Sequence, residues 1–87
     1  MKWKLDYTKR AEKDAISLYR AKLSDQVEKL LNILKSNPFQ NPPPYEKLTQ
    51  DLRGMYSRRI NVKHRLVYEI RKKERVVRIL SMWSHYE

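Results

Sequence analysis

The chain has 87 residues, with 20 Lys and Arg against 10 Asp and Glu, two His and no Cys, so its formal net charge is +10 at pH 7. This length predicts one small domain, residues 1–87, and the absence of cysteine excludes disulfides and thiolate metal sites. Two histidines without cysteines are too few for a zinc site. No segment resembles a membrane span or a signal peptide, so we expect a cytoplasmic protein.

The excess of positive charge indicates a polyanionic partner. A charge of +10 on so small a body attracts polyanions and accelerates their association. RNA or DNA is the first candidate and an acidic protein is the second, while a solvated basic surface without a partner is the third. Charge alone does not decide between them.

The N-terminal residues have the pattern of a strand that leads into a helix. Trp3, Leu5 and Tyr7 alternate with polar residues, which is the period of a half-buried strand. Thr8 has a side-chain oxygen that can cap a helix. Apolar residues then recur at helical spacing, so the first helix is predicted over about residues 8–21.

A second helix and a proline-rich connector come next. Ser24-Asp25 is a typical helix start, and the helix is predicted over about residues 24–36. Asn37-Pro38 should end it, since Asn tolerates a left-handed cap and Pro cannot continue a helix. Residues 37–44 hold all four prolines. We interpret them as a stiff, extended connector, with a ligand for a proline-binding domain as the alternative.

Three strands are predicted after a turn at the single glycine, Gly54, over about residues 55–61, 65–71 and 75–83. The order of elements is then β-α-α-β-β-β. This order predicts an α+β fold in which two helices cover one face of a mostly antiparallel sheet. The other face is left open and carries arginines.

The register of the first of these hairpins decides which side chains share the open face. A three-residue loop pairs Asn61 with Arg65 and Ile60 with Leu66. The apolar residues then face the helices, while Arg59, Asn61 and Arg65 lie together on the open face. A loop shorter by one residue would reverse both faces, because one step turns every side chain over.

Four side chains of this arrangement have the chemistry for RNA cleavage. Arg59 and Arg65 are planar, charged donors suited to phosphate oxygens. Glu46 follows the proline-rich connector and His85 follows the last strand, so that a carboxylate and an imidazole would flank a bound phosphate. One would take the 2′-hydroxyl proton and the other would protonate the departing 5′-oxygen, each contributing about 10²–10⁴ in rate.

Simpler interpretations exist for these and neighbouring residues. A C-terminal histidine and a single glutamate are usually solvated surface residues. The arginines Arg58, Arg59 and Arg65 would also serve as a basic patch for nonspecific RNA contact.

The remaining aromatic and imidazole side chains are divided between structure and binding. Tyr56 and Tyr68 are predicted to lie in the core, and His64 to serve the hairpin loop. Packing is favoured over base stacking for Trp83, whereas both are open for Tyr86.

One combination of residues is more specific than these patterns. It consists of Tyr45-Glu46-Lys47-Leu48, the run LRGMYSRRI at 52–60, His64-Arg65-Leu66-Val67-Tyr68 and the terminal Ser84-His85-Tyr86. It closely resembles the YoeB/Txe family of bacterial type II toxins, within the RelE/ParE superfamily, over nearly the whole chain. The early Trp and the Asn-Pro-Phe connector agree with that family as well.

The resemblance implies a RelE-like fold and a ribosome-dependent endoribonuclease that cuts mRNA in the ribosomal A site. Such enzymes use no metal or other cofactor. A 2′-hydroxyl attacks the neighbouring phosphate and leaves a 2′,3′-cyclic phosphate and a 5′-hydroxyl. An acidic antitoxin of the YefM/Phd type would bind the toxin and mask or distort the site, and toxin homodimers occur in the family.

The same resemblance assigns roles to individual residues. Glu46 falls on the general base, His85 on the general acid and Arg65 on the phosphate-stabilising arginine. Tyr86 falls on the terminal tyrosine that orients the substrate, and Arg59 on an arginine of the basic surface.

The chain departs from the family pattern at two positions. The family often has a lysine three residues after the base, where this chain has Thr49, and this chain continues past the His-Tyr end to Glu87. Lys47 is a nearby lysine and is assigned to substrate binding, although on a strand it would point away from the face of Glu46.

Two other functions are compatible with the same fold. A ParE-type gyrase inhibitor would need no acid–base pair. A nonenzymatic basic module for RNA or ribosome binding would lose affinity gradually as arginines are removed.

Overall fold

The computed structural model describes residues 2–48 and 54–83. In chain order the elements are β1 (Lys4–Tyr7), α1 (Lys9–Arg20), α2 (Ser24–Ser36), β2 (Glu46–Lys47), β3 (Met55–Arg59), β4 (Arg65–Arg71) and β5 (Val76–Ser81). The predicted order is confirmed with one addition, the two-residue strand β2. A strand this short has too few residues for an alternating pattern, so the sequence did not reveal it.

The strands form one sheet in the order β1-β5-β4-β3-β2. The pair β1–β5 is parallel, and the other three pairs are antiparallel, as expected for a mostly antiparallel sheet. Since β5 lies between β1 and β4, the last strand is hydrogen-bonded on both sides.

The helix bounds lie within one residue of the predicted ones, but the caps agree with the prediction only in part. Thr8 caps α1, because its Oγ1 accepts a hydrogen bond of 3.1 Å from the N–H of Ala11. The predicted left-handed cap at Asn37 is wrong, since this residue is extended, with φ −160° and ψ 100°. Its Oδ1 accepts a hydrogen bond of 3.0 Å from the N–H of Phe39 and so directs the chain into the connector.

The core lies between the two helices and one face of the sheet. Its buried apolar residues are Ala11, Leu18, Val27, Leu30, Leu34, Ile60, Leu66, Tyr68, Val77, Ile79 and Met82. Tyr68 is fully buried and Tyr56 packs against this cluster, so both tyrosines are core residues as predicted. Within the described ranges, no helix is long and apolar enough to cross a membrane.

The hairpin β3–β4 has the predicted faces but not the predicted register. Arg59 pairs with Arg65 and Arg58 with Leu66, so the predicted pairing of Asn61 with Arg65 is wrong by two residues. A shift of two residues keeps every side chain on its face, because the strand period is two. Arg59 and Arg65 therefore still share the open face.

The loop is longer than predicted because Asn61 closes it with its own side chain. Its Oδ1 accepts hydrogen bonds from the N–H groups of Lys63 and His64, at 2.9 and 2.7 Å. The carbonyl of His64 accepts from the N–H of Ile60 at 2.9 Å. Asn61 thus belongs to the turn and not to the open face, and His64 serves the loop as predicted.

Arg58 does not belong to a basic surface patch, contrary to one interpretation of the sequence. Its side chain lies on the core face of β3 and is only 1% exposed. Its guanidinium donates to the carbonyl oxygens of Pro38, Gln40 and Pro43 at 2.7–2.9 Å, and its Nε donates to the hydroxyl of Tyr68 at 2.9 Å. The proline-rich connector is therefore fastened to the sheet from within.

Candidate functional site

Three polar side chains meet on the open face across β2, β3 and β4. Glu46 on β2 lies opposite Ser57 on β3, and Arg65 begins β4 on the other side of β3. The Nη1 of Arg65 donates to Glu46 Oε1 at 2.8 Å and to Ser57 Oγ at 3.2 Å. Two residues that are 19 positions apart in the chain are thus joined over the intervening strand.

The exposure of this ion pair determines what it can do. The side chains of Arg65 and Glu46 are 35% and 67% exposed, whereas Ser57 is buried beneath them. An exposed pair contributes only about 0–1 kcal/mol to stability. Its groups are accessible to an anionic ligand, and a phosphate that binds Arg65 can replace the carboxylate as its partner.

A second arginine increases the positive charge of this face. Arg59 is exposed and pairs with Arg65 across β3 and β4. Like charges directly opposite each other on a sheet reduce stability. The two guanidinium groups and the single carboxylate of Glu46 leave a net positive site, which favours the binding of an anion.

Lys47 does not join this cluster. It pairs with Tyr56, whose side chain packs against the core, so it lies on the opposite face of the strand from Glu46. Its assignment to substrate binding stays a prediction, and the described geometry separates it from Arg65.

The predicted acid and terminal tyrosine, His85 and Tyr86, lie outside the described residues, as do Thr49 and Glu87. The strand that leads to them is described to its end. Since β4 and β5 are antiparallel, the end of β5 lies beside the beginning of β4, where Ser81 pairs with Val67. Val67 is two residues from Arg65. The last residue of β5 therefore lies at the same end of the sheet as the ion pair.

Two buried side chains on the core face of the sheet, Arg58 and Tyr68, support the site from the other face. Burial raises the pKa of Tyr68 above its usual 10.0, although the adjacent Arg58 guanidinium opposes this shift. The hydroxyl of Tyr68 is therefore neutral at physiological pH and accepts the hydrogen bond from Arg58. Arg58 also donates hydrogen bonds to the proline-rich connector, which leads directly into β2. The position of β2, and with it that of Glu46, therefore depends on this buried arginine.

Sequence reasoning did not single out Ser57 or the contact of His64 with Trp83. Ser57 is two residues before Arg59, and this period of a strand was the only indication of its place on the open face. The imidazole of His64 stacks on the indole of Trp83, with 3.8 Å between ring centroids and 21° between ring planes. Trp83 packs, as predicted, and it joins the hairpin loop to the end of β5.

Comparison with known proteins identifies the family. Residues 3–86 match the family model described as the YoeB-like toxin of bacterial type II toxin-antitoxin systems. The chain belongs to this family. The Toxin YoeB of Synechocystis sp. is 38% identical over 66 residues, which cover 76% of this chain and 74% of that protein.

Solved structures of YoeB toxins have the same fold. The YoeB/ParE toxin of Agrobacterium tumefaciens is 28% identical with a TM-score of 0.85, and the match covers 95% of this chain and 99% of the other. YoeB of Staphylococcus aureus, solved with YefM as a heterotetramer and also as a dimer, is 29% identical with a TM-score of 0.81 in both structures. Each match covers 99% of this chain and 100% of the S. aureus chain.

Proposed function

We propose that this YoeB-family toxin is a ribosome-dependent endoribonuclease that cleaves mRNA in the ribosomal A site without a metal ion and so inhibits translation. The observation that supports this most is the exposed Glu46–Arg65 pair, which places a carboxylate 2.8 Å from a guanidinium and beside a second arginine, Arg59. A general base and a phosphate ligand are the two groups that cleavage by a 2′-hydroxyl requires at one place.

In the proposed reaction the substrate phosphate replaces Glu46 as the partner of Arg65. The released carboxylate then accepts the proton of the 2′-hydroxyl, whose oxygen forms a bond to phosphorus. Arg65 stabilises the charge that develops on the phosphoryl oxygens, and Arg59 adds to the positive potential. The products are a 2′,3′-cyclic phosphate and a 5′-hydroxyl.

The leaving group requires a proton as the bond from phosphorus to the 5′-oxygen breaks. His85 supplies it in this proposal, and Tyr86 orients the nucleotide. Lys47 would contact the substrate at the margin of the site, since it does not share the face of Glu46. Each proton transfer contributes about 10²–10⁴ in rate.

The proposed partners are the 70S ribosome with its mRNA, an acidic antitoxin of the YefM/Phd type and a second copy of the chain. The net charge of +10 favours both rRNA and an acidic protein. The antitoxin and the homodimer are also supported by the S. aureus relative, whose structures are described as a YoeB–YefM complex and a YoeB dimer. Cleavage on ribosomes would place the protein in the cytoplasm.

A primer-extension map of a defined mRNA, incubated with the protein with and without programmed 70S ribosomes, tests the proposal. Cleavage inside the A-site codon that requires ribosomes is the expected result. His85→Gln should abolish cleavage while ribosome binding persists. Intact mRNA in both reactions, with an active control toxin, would contradict the proposal and make inhibition of DNA gyrase the next assay.

A further inference from the structure

The turn between β4 and β5 lies at the end of the sheet that is far from the candidate site, and it gathers cations from three parts of the chain. Its four residues, 72–75, are Lys-Lys-Glu-Arg, and all are exposed. The start of β1 lies beside it, since the N–H of Lys4 donates to the carbonyl of Arg75 at 3.0 Å. The end of α2 is joined to the same place by a hydrogen bond of 2.7 Å from the N–H of Trp3 to the carbonyl of Lys35. The exposed cations of these segments, together termed the tip patch, are Lys2, Lys4, Lys35, Lys72, Lys73 and Arg75.

The charge of the tip patch is only slightly offset by carboxylates. Glu74 is the one acidic residue of the turn. Glu69 forms an ion pair of 3.5 Å with Arg71, so these two neighbours offset each other and Arg71 is not counted in the patch. The six cations and Glu74 leave an excess of five positive charges, half of the +10 of the whole chain. Such a concentration of charge attracts a polyanion.

Two aromatic rings orient cations of the patch. The Cζ of Arg75 lies 4.8 Å from the centre of the Trp3 ring, and the Nζ of Lys72 lies 5.4 Å from the centre of the Phe39 ring. The two rings meet edge to face, with 6.1 Å between their centres. A ring holds a cation in place but, unlike a carboxylate, does not neutralise its charge. The turn is therefore built on a support that preserves its positive potential.

The backbone of the turn gives separate evidence that the side chain of Arg75 has a use. Arg75 has a φ of 55°, which lies in the left-handed region that glycine adopts without strain. Its N–H closes the turn by donating to the carbonyl of Lys72 at 3.2 Å. An arginine in a strained conformation is a reason to look for a function of that residue.

The distance between the tip patch and the candidate site separates their roles. Strand β4 begins at Arg65 and ends at Arg71, just before the turn. Its seven residues span about 20 Å at about 3.4 Å each. A group at the tip therefore does not touch a phosphate bound at Arg65, and it contributes affinity instead of chemistry.

The arrangement of the rings favours double-helical RNA over a single strand. Proteins bind single-stranded RNA by stacking its bases on aromatic rings, whereas they bind double-helical RNA largely through its phosphates and shape. Trp3 and Phe39 are half-buried, contact each other and each have a cation over the ring. The exposed groups of the patch are then the lysines and Arg75, which suit phosphates.

The composition of the patch favours RNA over an acidic protein. The core of a protein interface is enriched in aromatic residues and Met and depleted in Lys. Among residues 2–48 and 54–83, the exposed large apolar side chains are those of Tyr7, Ile16, Tyr19 and Val62. None of them belongs to the segments of the tip patch, so a partner there would meet charge without an apolar anchor.

We propose that the tip patch binds the phosphate backbone of double-helical rRNA and so holds the protein on the ribosome at a distance from the codon that is cleaved. This inference rests on the proposed function. Lys72 and Lys73 lie at the apex of the turn and make the phosphate contacts, while Trp3 and Phe39 support the turn from below.

The first test measures the affinity of the full-length protein for 70S ribosomes and for an RNA duplex of about 16 base pairs, at about 50–200 mM KCl. The double variant Lys72→Gln with Lys73→Gln should bind both about 10-fold more weakly. Its plot of log affinity against log salt should be shallower by about 1.4–1.8, because each lost phosphate contact removes about 0.7–0.9 from the slope.

A matched control removes the same charge elsewhere. Lys13→Gln with Lys29→Gln changes one exposed lysine on each helix, and its affinity for both RNAs should stay within about twofold of the parent. Equal weakening in the two double variants would overturn the patch, since net charge alone would then explain the loss. Both should keep the parental Tm, because exposed lysines are replaced.

Two further probes test the class of partner. Oligouridylate represents single-stranded RNA, and poly-L-glutamate represents an acidic protein. The tip variant should lose less affinity for either probe than for the duplex. An equal or larger loss with oligouridylate or with poly-L-glutamate would overturn the assignment to double-helical RNA.

Cleavage kinetics separate this inference from the proposed function. On programmed ribosomes the tip variant should cleave at the parental single-turnover rate when the toxin saturates, and about 10-fold more slowly when it does not. A parent that cleaves, together with a tip variant that binds ribosomes as the parent does, would overturn the patch alone. A parent that cleaves no mRNA, together with a tip variant that binds the duplex more weakly, would contradict the proposed function and support the patch as an RNA-binding surface.

Discussion

The two faces of β3 use adjacent arginines in opposite ways. Arg58 points into the core, where its guanidinium donates to three carbonyl oxygens of the connector. Arg59 points to the open face and is exposed, opposite Arg65. An arginine whose hydrogen bonds go to fixed acceptors in the core maintains structure, whereas an exposed arginine beside a like charge can bind an anion.

The difference extends to the residues around them. On the core face, the connector and Tyr68 satisfy the buried guanidinium, so exchange of partners would leave polar groups without hydrogen bonds. On the open face, Arg65 has an exposed carboxylate as its partner. An exposed ion pair that can exchange partners suits a site that must admit a substrate. Buried hydrogen bonds that do not exchange suit the structure that supports this site.

Removing the buried arginine should have the largest effect. Arg58→Leu leaves three carbonyls and one hydroxyl without their donor, at about 1–3 kcal/mol for each group, so the free energy of unfolding should fall by about 4 kcal/mol or more. Urea denaturation followed by circular dichroism measures it. Arg59→Leu is the matched control and should stay within about 0.5 kcal/mol of the parent. An equal decrease in the free energy of unfolding for the two variants would contradict the different roles assigned to the two arginines.

Removing Arg65, the arginine of the ion pair, should affect activity and not stability. Arg65→Ala should lower the cleavage rate on programmed ribosomes by about 10²–10³, because a donor to the developing charge is lost. Its free energy of unfolding should change by less than about 1 kcal/mol, since the ion pair is exposed. Arg71→Ala, at the far end of β4, is the control and should cleave like the parent. A stable Arg65→Ala protein with parental activity would exclude Arg65 as the phosphate ligand.

The buried serine of the site should matter less. Ser57→Ala removes one hydrogen bond to Arg65, which is worth about 0.5–1.5 kcal/mol, so the cleavage rate should fall several-fold. The same single-turnover assay measures it, with Ser24→Ala at the start of α2 as the control. No change in rate would show that Glu46 alone suffices to orient the guanidinium.

The smallest predicted effect concerns alkaline pH. Burial raises the pKa of Tyr68 and of Tyr7 above the usual 10.0, so the neutral hydroxyls contribute stability that is complete below pH 10 and is lost as the pH rises through the raised values. Unfolding free energy measured from pH 8 to 11 should therefore decline above pH 10. Tyr68→Phe should be less stable at pH 8, because Arg58 loses an acceptor, and should show a shallower decline. A decline as steep as that of the parent would contradict the assignment to Tyr68.

Local patterns predicted the elements and faces but not the details of the turns. The alternation in β3 and β4 placed Arg59 and Arg65 together, and the two-residue error in register left this result unchanged because the strand period is two. The error arose at Asn61, whose side chain closes a longer turn by hydrogen bonds to backbone N–H groups. Such hydrogen bonds depend on the conformation of the loop. The alternation of apolar and polar residues in the strands does not predict that conformation.

Alternation places Arg58 on the same face of β3 as Tyr56 and Ile60, but the partners that permit its burial could not be inferred from neighbouring residues. Charged side chains are almost never buried without partners. The partners of Arg58 are carbonyls 15–20 positions earlier in the chain, and backbone carbonyls have no sequence signature. The SRR run therefore indicated two surface arginines, of which only Arg59 is exposed.

The sequence by itself determined the α+β class, the Thr8 cap, the two apolar helix faces and the shared face of Arg59 and Arg65, because these depend on period, propensity and composition. Tertiary structure alone decided that Glu46, Ser57 and Arg65 meet across three strands, that Arg58 is internal and that α1 and the hairpin loop hold the end of β5. Those arrangements join residues between 8 and 68 positions apart. Contacts over such separations arise from the order of strands in the sheet, which no local window of sequence contains.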